Sequence, residues 1–155
     1  MPTITLPTKD GTLAPHTTRP PRNFGKPTRK LNRVAYAAAH VVADPFADVD
    51  PWLTAAIDWE TTLKFRSYLW SLGLGVAEAM DTAQRGMGLD WPTSLELIKR
   101  SVALAKAEGG QMIASGAGTD HLAPGPGVTV DDVIRAYEEQ CGAVEGAGGR
   151  IILMA

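Results

Sequence analysis

Cysteine is all but missing from the chain. One residue, Cys141, stands among 155. An internal disulfide is therefore excluded, and the composition suits a reducing compartment, so a cytoplasmic location is expected. Basic charge is not in excess either: the net charge is −2 and the isoelectric point is about 5.9. Nucleic-acid-binding surfaces usually need a basic excess, so no nucleic-acid partner is expected. Long apolar runs are lacking. The longest, residues 34–43, contains His40 and is far too short to span a bilayer. No charged stretch followed by an apolar one marks a secretory leader, and no membrane partner is expected. The glycine pair Gly116-Ala117-Gly118 lacks the third glycine of a dinucleotide fingerprint, so no cofactor is expected.

What remains reads as one globular domain. Hydrophobic residues make up 45% and charged residues 21%, enough for a real core at this length. The chain is organised around residues 74–90. This stretch begins as an apolar run containing one carboxylate, Glu78. It passes into a polar cluster of Asp81, Thr82, Gln84 and Arg85, loosened by Gly86 and Gly88. A buried strand that ends in convergent polar groups and feeds a helix is how α/β enzymes build their sites.

Asp10-Gly11 between two β-prone runs signals a hairpin, which Pro7 and Pro15 confine to an edge. Residues 16–32 read as an extended basic connector, with Pro20, Pro21 and Pro27 among Arg19, Arg22, Lys26, Arg29 and Lys30. Residues 1–32 thus form a leader. Residues 34–43 read as a strand buried on both faces. Asp58 is the expected N-cap of a helix reaching Leu72, with Phe65, Leu69 and Leu72 on its apolar face and Gly73 as its stop. Thr93 to Glu96 reads as a capping box, with Ile98, Val102 and Ala105 as the buried stripe beyond it. A third strand starts near Gln111. Thr129 then caps a helix whose face is Ile134, Tyr137, Cys141 and Val144, so Cys141 is expected in the core. A fourth strand begins at Ile151. The strand starts recur about every 40 residues, each interval holding one βα unit, so the strands should be parallel and ordered 1-2-3-4. Trp52, Trp59, Trp70 and Trp91 are expected to serve packing.

Three stretches carry a resemblance: residues 37–45 (Ala-Ala-Ala-His-Val-Val-Ala-Asp-Pro), residues 78–90 and residues 114–120 (Ala-Ser-Gly-Ala-Gly-Thr-Asp). Together they resemble the N-terminal part of an uncharacterised dihydrodipicolinate-synthase-like family, within the N-acetylneuraminate lyase superfamily of barrels. The resemblance covers about residues 33–155, and the leader is similar too. It implies a (β/α)8 TIM-barrel type fold, of which this chain is the N-terminal half: about four parallel strands and three helices over residues 33–155. A whole barrel typically takes ~250 residues. The resemblance also implies Schiff-base aldolase or lyase chemistry on a 2-oxo acid or related carbonyl compound. The superfamily ends its second strand in Gly-Thr-Thr-Gly-Glu, whose hydroxyls help hold a substrate carboxylate. Here the stretch is Asp81-Thr82-Ala83-Gln84-Arg85, and only Thr82 keeps a hydroxyl. The superfamily's lysine lies on its sixth strand, outside this chain. The lysines present fall in the leader, helices or turns, none at a strand's C-terminal end.

Loops after the first three strands share one barrel face. They offer His40 and Asp44, then Asp81, Thr82, Gln84 and Arg85, then Thr119, Asp120 and His121. All but His121 are the substrate-binding candidates. No catalytic residue is assigned. His40, Glu78, Asp81 and Asp120 are the weak candidates for a divalent cation in a metal-dependent aldolase, though no two share a tight ligand motif. Glu78 needs a partner, for which Arg85 or Arg33 is available. The expected partners are a small carbonyl substrate and either the missing C-terminal half or another copy. The competing reading is a catalytically inactive half-barrel that only binds or assembles.

Overall fold

The structure is a computed structural model that describes residues 1–23, 25 and 31–154. Much of the basic connector lies outside the described residues. Two sheets form. In the first, β1 (Thr3–Pro7) pairs antiparallel with β2 (Leu13–Thr17). The hairpin expected at Asp10-Gly11 is present. The Thr8 N–H donates to the Thr12 carbonyl at 2.8 Å, and Gly11 takes a φ of +83°. That geometry needs the left-handed region which glycine enters freely.

The second sheet holds β3 (Tyr36–Ala38), β4 (Gly75–Glu78), β5 (Ile113–Ala117) and β6 (Ile151–Leu153), parallel and in that order. Helices α1 (Trp59–Ser71), α2 (Trp91–Ala107) and α3 (Val130–Gly146) alternate with the strands. This is an α/β architecture consistent with part of a (β/α) barrel, as the spacing of βα units predicts. The main core joins Val76 and Ile113 of the strands to Leu69, Trp70, Leu97, Ile98, Val102 and Val144 of the helices.

Register separates the two faces of the sheet. Val76 pairs with Ile113, and Glu78 with Ser115. Glu78 bonds to α1, so this parity faces the helices. The opposite parity places Gly75, Ala77, Ala114 and Gly116 on the other face, all small. The Tyr36 ring lies over Gly75, where an added Cβ would fall 2.7 Å from it. Gly116 is equally confined: a Cβ would lie 2.8 Å from both the Ala79 carbonyl oxygen and the Met154 sulfur.

Four local expectations are corrected. The first strand is not buried on both faces. Val34 and Tyr36 are exposed, and pairing is limited to Tyr36–Ala38, because among the described residues β3 has a neighbouring strand on one side only. The cap of α2 is Asp90, whose carboxylate accepts from the Thr93 N–H at 2.9 Å; Trp91 and Pro92 are already helical. Proline is welcome in a first helical turn, where its missing N–H costs nothing. The buried stripe of α3 is Ala136, Gln140 and Val144, so Ile134 is exposed and Cys141 only half-buried. Spacing cannot tell a packed apolar face from one lacking its neighbour. Finally, Trp52 is 93% exposed and packs into no core.

Candidate functional site

Glu78 ends β4 with no exposed surface. A carboxylate there must be paired, since an unpaired buried charge is strongly destabilising. Its partner is neither Arg85 nor Arg33 but Arg66 of α1. Arg66 Nε donates to Oε2 at 2.8 Å and Nη2 to Oε1 at 2.7 Å, both side chains fully buried. Arg66 Nη1 donates to the Thr62 carbonyl at 3.1 Å and to that of His40. One guanidinium thus binds α1 to the ends of β3 and β4. Nothing in the apolar spacing of α1 points to Arg66, since that spacing favours a face of Phe65, Leu69 and Leu72. The helix instead buries Thr62, Arg66, Leu69 and Trp70.

Directly after Glu78 the backbone is strained. Ala79 takes a φ of +51° and Gln84 one of +62°, a region that costs a side-chain-bearing residue roughly 1–2 kcal/mol. Between them lies one 3-10 turn, Asp81–Ala83. The turn carries Arg85 inward, where all five guanidinium donors find acceptors. Nε and Nη2 form a fork on Asp120 at 3.2 and 2.8 Å. Nη1 donates to the carbonyls of Ala79 at 3.2 Å and Gly116 at 2.6 Å, and Nη2 also donates to Gln140 Oε1. The guanidinium lies 5.0 Å from the centre of the Trp91 ring. Arg85, one of the substrate-binding candidates, thus has no donor left over for a ligand.

Gln140 fixes the rest of this network. Its Oε1 accepts from the Gly118 N–H at 2.7 Å as well as from Arg85, so its amide nitrogen must face the other way. That nitrogen donates to Asp120 Oδ1 at 3.0 Å and meets His121 Nδ1 at 2.7 Å. His121 Nδ1 is therefore the acceptor, and Nε2, 3.3 Å from a Glu139 carboxylate oxygen, carries the proton. Burial would raise the Asp120 carboxyl, but the hydrogen bonds from Arg85 and Gln140, with the Arg85 charge, hold it below the usual carboxylate range. Gln140 is absent from the residues that the sequence singles out. A signal for it exists, since it lies four residues from both Ala136 and Val144 on one helical stripe.

The remaining expected residues divide. Asp44 and Gln84 line one cavity of about 480 Å³ between the loop after β3 and the loop after β4. The rest of its wall is mostly apolar, with Val41, Trp52, Ile57, Met87 and Leu89 among its residues. Both loops are closed by backbone bonds. Asp44 N–H donates to the Ala56 carbonyl at 3.0 Å and Asp58 N–H to that of Val42 at 2.9 Å; Leu89 N–H donates to the Gln84 carbonyl at 3.0 Å. Thr82 has a buried hydroxyl with no hydrogen-bond partner among the described residues. Asp81 is exposed; its carboxylate accepts from the neighbouring Thr82 N–H at 2.9 Å and its carbonyl from the Gln84 N–H at 2.9 Å. His40 is exposed and contributes its carbonyl, and Thr119 accepts through its own carbonyl from the Leu122 N–H at 2.9 Å. The candidates thus form a closed Arg85–Asp120 network and a separate cavity, not one convergent cluster. Glu78 and Asp120 spend their carboxylates on arginines. Among the described residues, no group of three or more His, Cys, Asp or Glu is placed to hold a metal ion. No helix among them is long and apolar enough to cross a membrane.

Comparison with curated proteins finds no match to this chain. A family described as Protein of unknown function (DUF993) matches residues 4–155. Since the match spans nearly the whole chain, hairpin and parallel sheet alike, the chain belongs to the DUF993 family.

Proposed function

We propose that this chain supplies the first four strands of a (β/α)8 barrel of the dihydrodipicolinate-synthase-like kind, acting as a carbon–carbon lyase or aldolase on a 2-oxo acid or related carbonyl compound. The Schiff-base lysine lies outside the chain. The observation that carries this reading is the walled cavity at the C-terminal ends of β3 and β4, where barrel enzymes hold their substrates. Strain at Ala79 and Gln84 beside it fits a functional position. A Schiff base needs a lysine of lowered pKa in a dry pocket. Lys64 and Lys99 sit on helices, and Lys106 donates from α2 to the Ala147 carbonyl at 3.0 Å.

Borohydride trapping with a panel of 2-oxo acids and neutral ketones tests this. The chain alone should give no adduct. An assembly or longer polypeptide that carries a strand-end lysine should give one. An adduct on one of this chain's own lysines would refute the placement of the amine. Turnover without any adduct, abolished by chelation, would favour the metal-dependent aldolase instead. The second reading, an inactive half-barrel that binds or assembles, is favoured by one finding: every donor of Arg85 is taken up by Asp120, Gln140 and backbone carbonyls.

A further inference from the structure

The cavity between the loops after β3 and β4 has a charge character of its own. From residue 34 to residue 63 the sequence holds no lysine and no arginine. The loop that walls the cavity carries Asp44, Asp48 and Asp50 instead. The loop after β4 brings one cation, Arg85, and its five donors are taken. Arg66 is fully buried against Glu78. Among the described residues the cavity therefore meets no fixed cation with a donor to spare. Its walls are mostly aliphatic and aromatic, with Asp44, Thr54 and Gln84 the polar side chains among them, and its volume of about 480 Å³ falls within the usual range for a small-molecule site. Trp52, 93% exposed, and Met87, 73% exposed, stand at its edge with apolar surface uncovered.

We propose that this cavity takes a neutral carbonyl compound with an apolar body, and that it disfavours the carboxylate of a small 2-oxo acid. A carboxylate seated here would lose its water, gain no charged partner and face Asp44. An aryl or alkyl group would cover Trp52, Ile57 and Leu89 and release ordered water from them. Asp44 accepts from the Phe46 N–H at 2.9 Å through Oδ1, which fixes the carboxylate at the cavity wall. This rests on the reading that the strand-end loops form the substrate site. The two can fail separately, because occupancy of the cavity and covalent chemistry are read by different experiments.

The test is a tryptophan-fluorescence titration of the whole chain with 4-phenyl-2-butanone, phenylpyruvate and pyruvate. The neutral ketone should bind at least about tenfold tighter than phenylpyruvate, a difference of about 1.4 kcal/mol. Pyruvate should bind most weakly. Asp44→Asn should narrow the gap between the neutral and anionic aryl ligands. Trp52→Ala, at an exposed position that should leave folding intact, should abolish ketone binding with the circular dichroism unchanged. Equal or tighter binding of either acid would overturn the proposal. So would the absence of ketone binding, or ketone affinity unaltered by Trp52→Ala. Ketone binding without any borohydride-trapped adduct, in every context, would leave the cavity's preference standing and remove the lyase reading.

Discussion

Arg66 and Glu78 define the residue scale. Each would be costly to bury alone, and each exists in its place because of the other. Glu78→Gln should therefore destabilise the fold by roughly 3–5 kcal/mol, measured by denaturant unfolding, because it strands a buried guanidinium. The double substitution Arg66→Met with Glu78→Leu should recover most of that loss. A single substitution that costs no more than an ordinary surface change would show that water reaches the pair. This pair also shows what was legible. That Glu78 needed a partner followed from an apolar run with a carboxylate inside it. Which arginine served did not follow, because Arg66 lies twelve residues upstream on a helix whose orientation only packing decides. The importance of Arg85 was legible, but its full set of partners was not. Its acceptors come from the strand ends, from Asp120 and from α3, which only the fold brings together.

At the scale of elements, most backbone punctuation is legible, the Asp90 cap of α2 excepted, and faces are less so. The hairpin at Asp10-Gly11, the Asp58 and Thr129 caps and the Gly73 stop are local chemistry, settled within four residues of each signal. The faces of α1 and α3 depend on neighbours, so apolar spacing alone turned them by part of a turn. The sheet's inner face adds a constraint of its own. Small residues on β4 and β5 let the Tyr36 ring, the strained Ala79 carbonyl and the Met154 side chain approach closely. Gly116→Ala would set a methyl 2.8 Å from a backbone oxygen that also accepts from Arg85. Both neighbours would have to move. Thermal unfolding should show a loss of about 1–3 kcal/mol, the scale of overpacking a core. A neutral result would mean that the segment after β4 is loose enough to yield, and that it does not hold Arg85 rigidly.

For the whole molecule the open question is what covers the sheet's two ends. Among the described residues, strands β3 and β6 each have one neighbouring strand, so each presents an open edge. Neither edge carries the lysine, proline or inward charge that discourages pairing: residues 34–42 and 151–154 are apolar apart from His40. Beside β6, a hollow of about 520 Å³ is lined by Ile134, Tyr137, Cys141, Leu153 and Met154, with Leu153 67% exposed. The same residues explain the misread face of α3. They have core composition and no core partner among the described residues, which no periodicity can reveal. The apolar character of β3 is of the same kind, for its alanines suit a buried strand, yet among the described residues only β4 pairs with it. Open apolar edges of this kind are satisfied by more strands, from a second copy or from a separate half-barrel. The chain at micromolar concentration should therefore sediment as a dimer or larger species, and Leu153→Lys, a charge placed on the open edge, should shift it towards monomer. Two copies would supply eight strands and still no strand-end lysine, so the assembled species should fold without forming a trapped adduct. A monomer that melts sharply at that concentration would show that the edges are covered within one chain, and the half-barrel reading would fall with it.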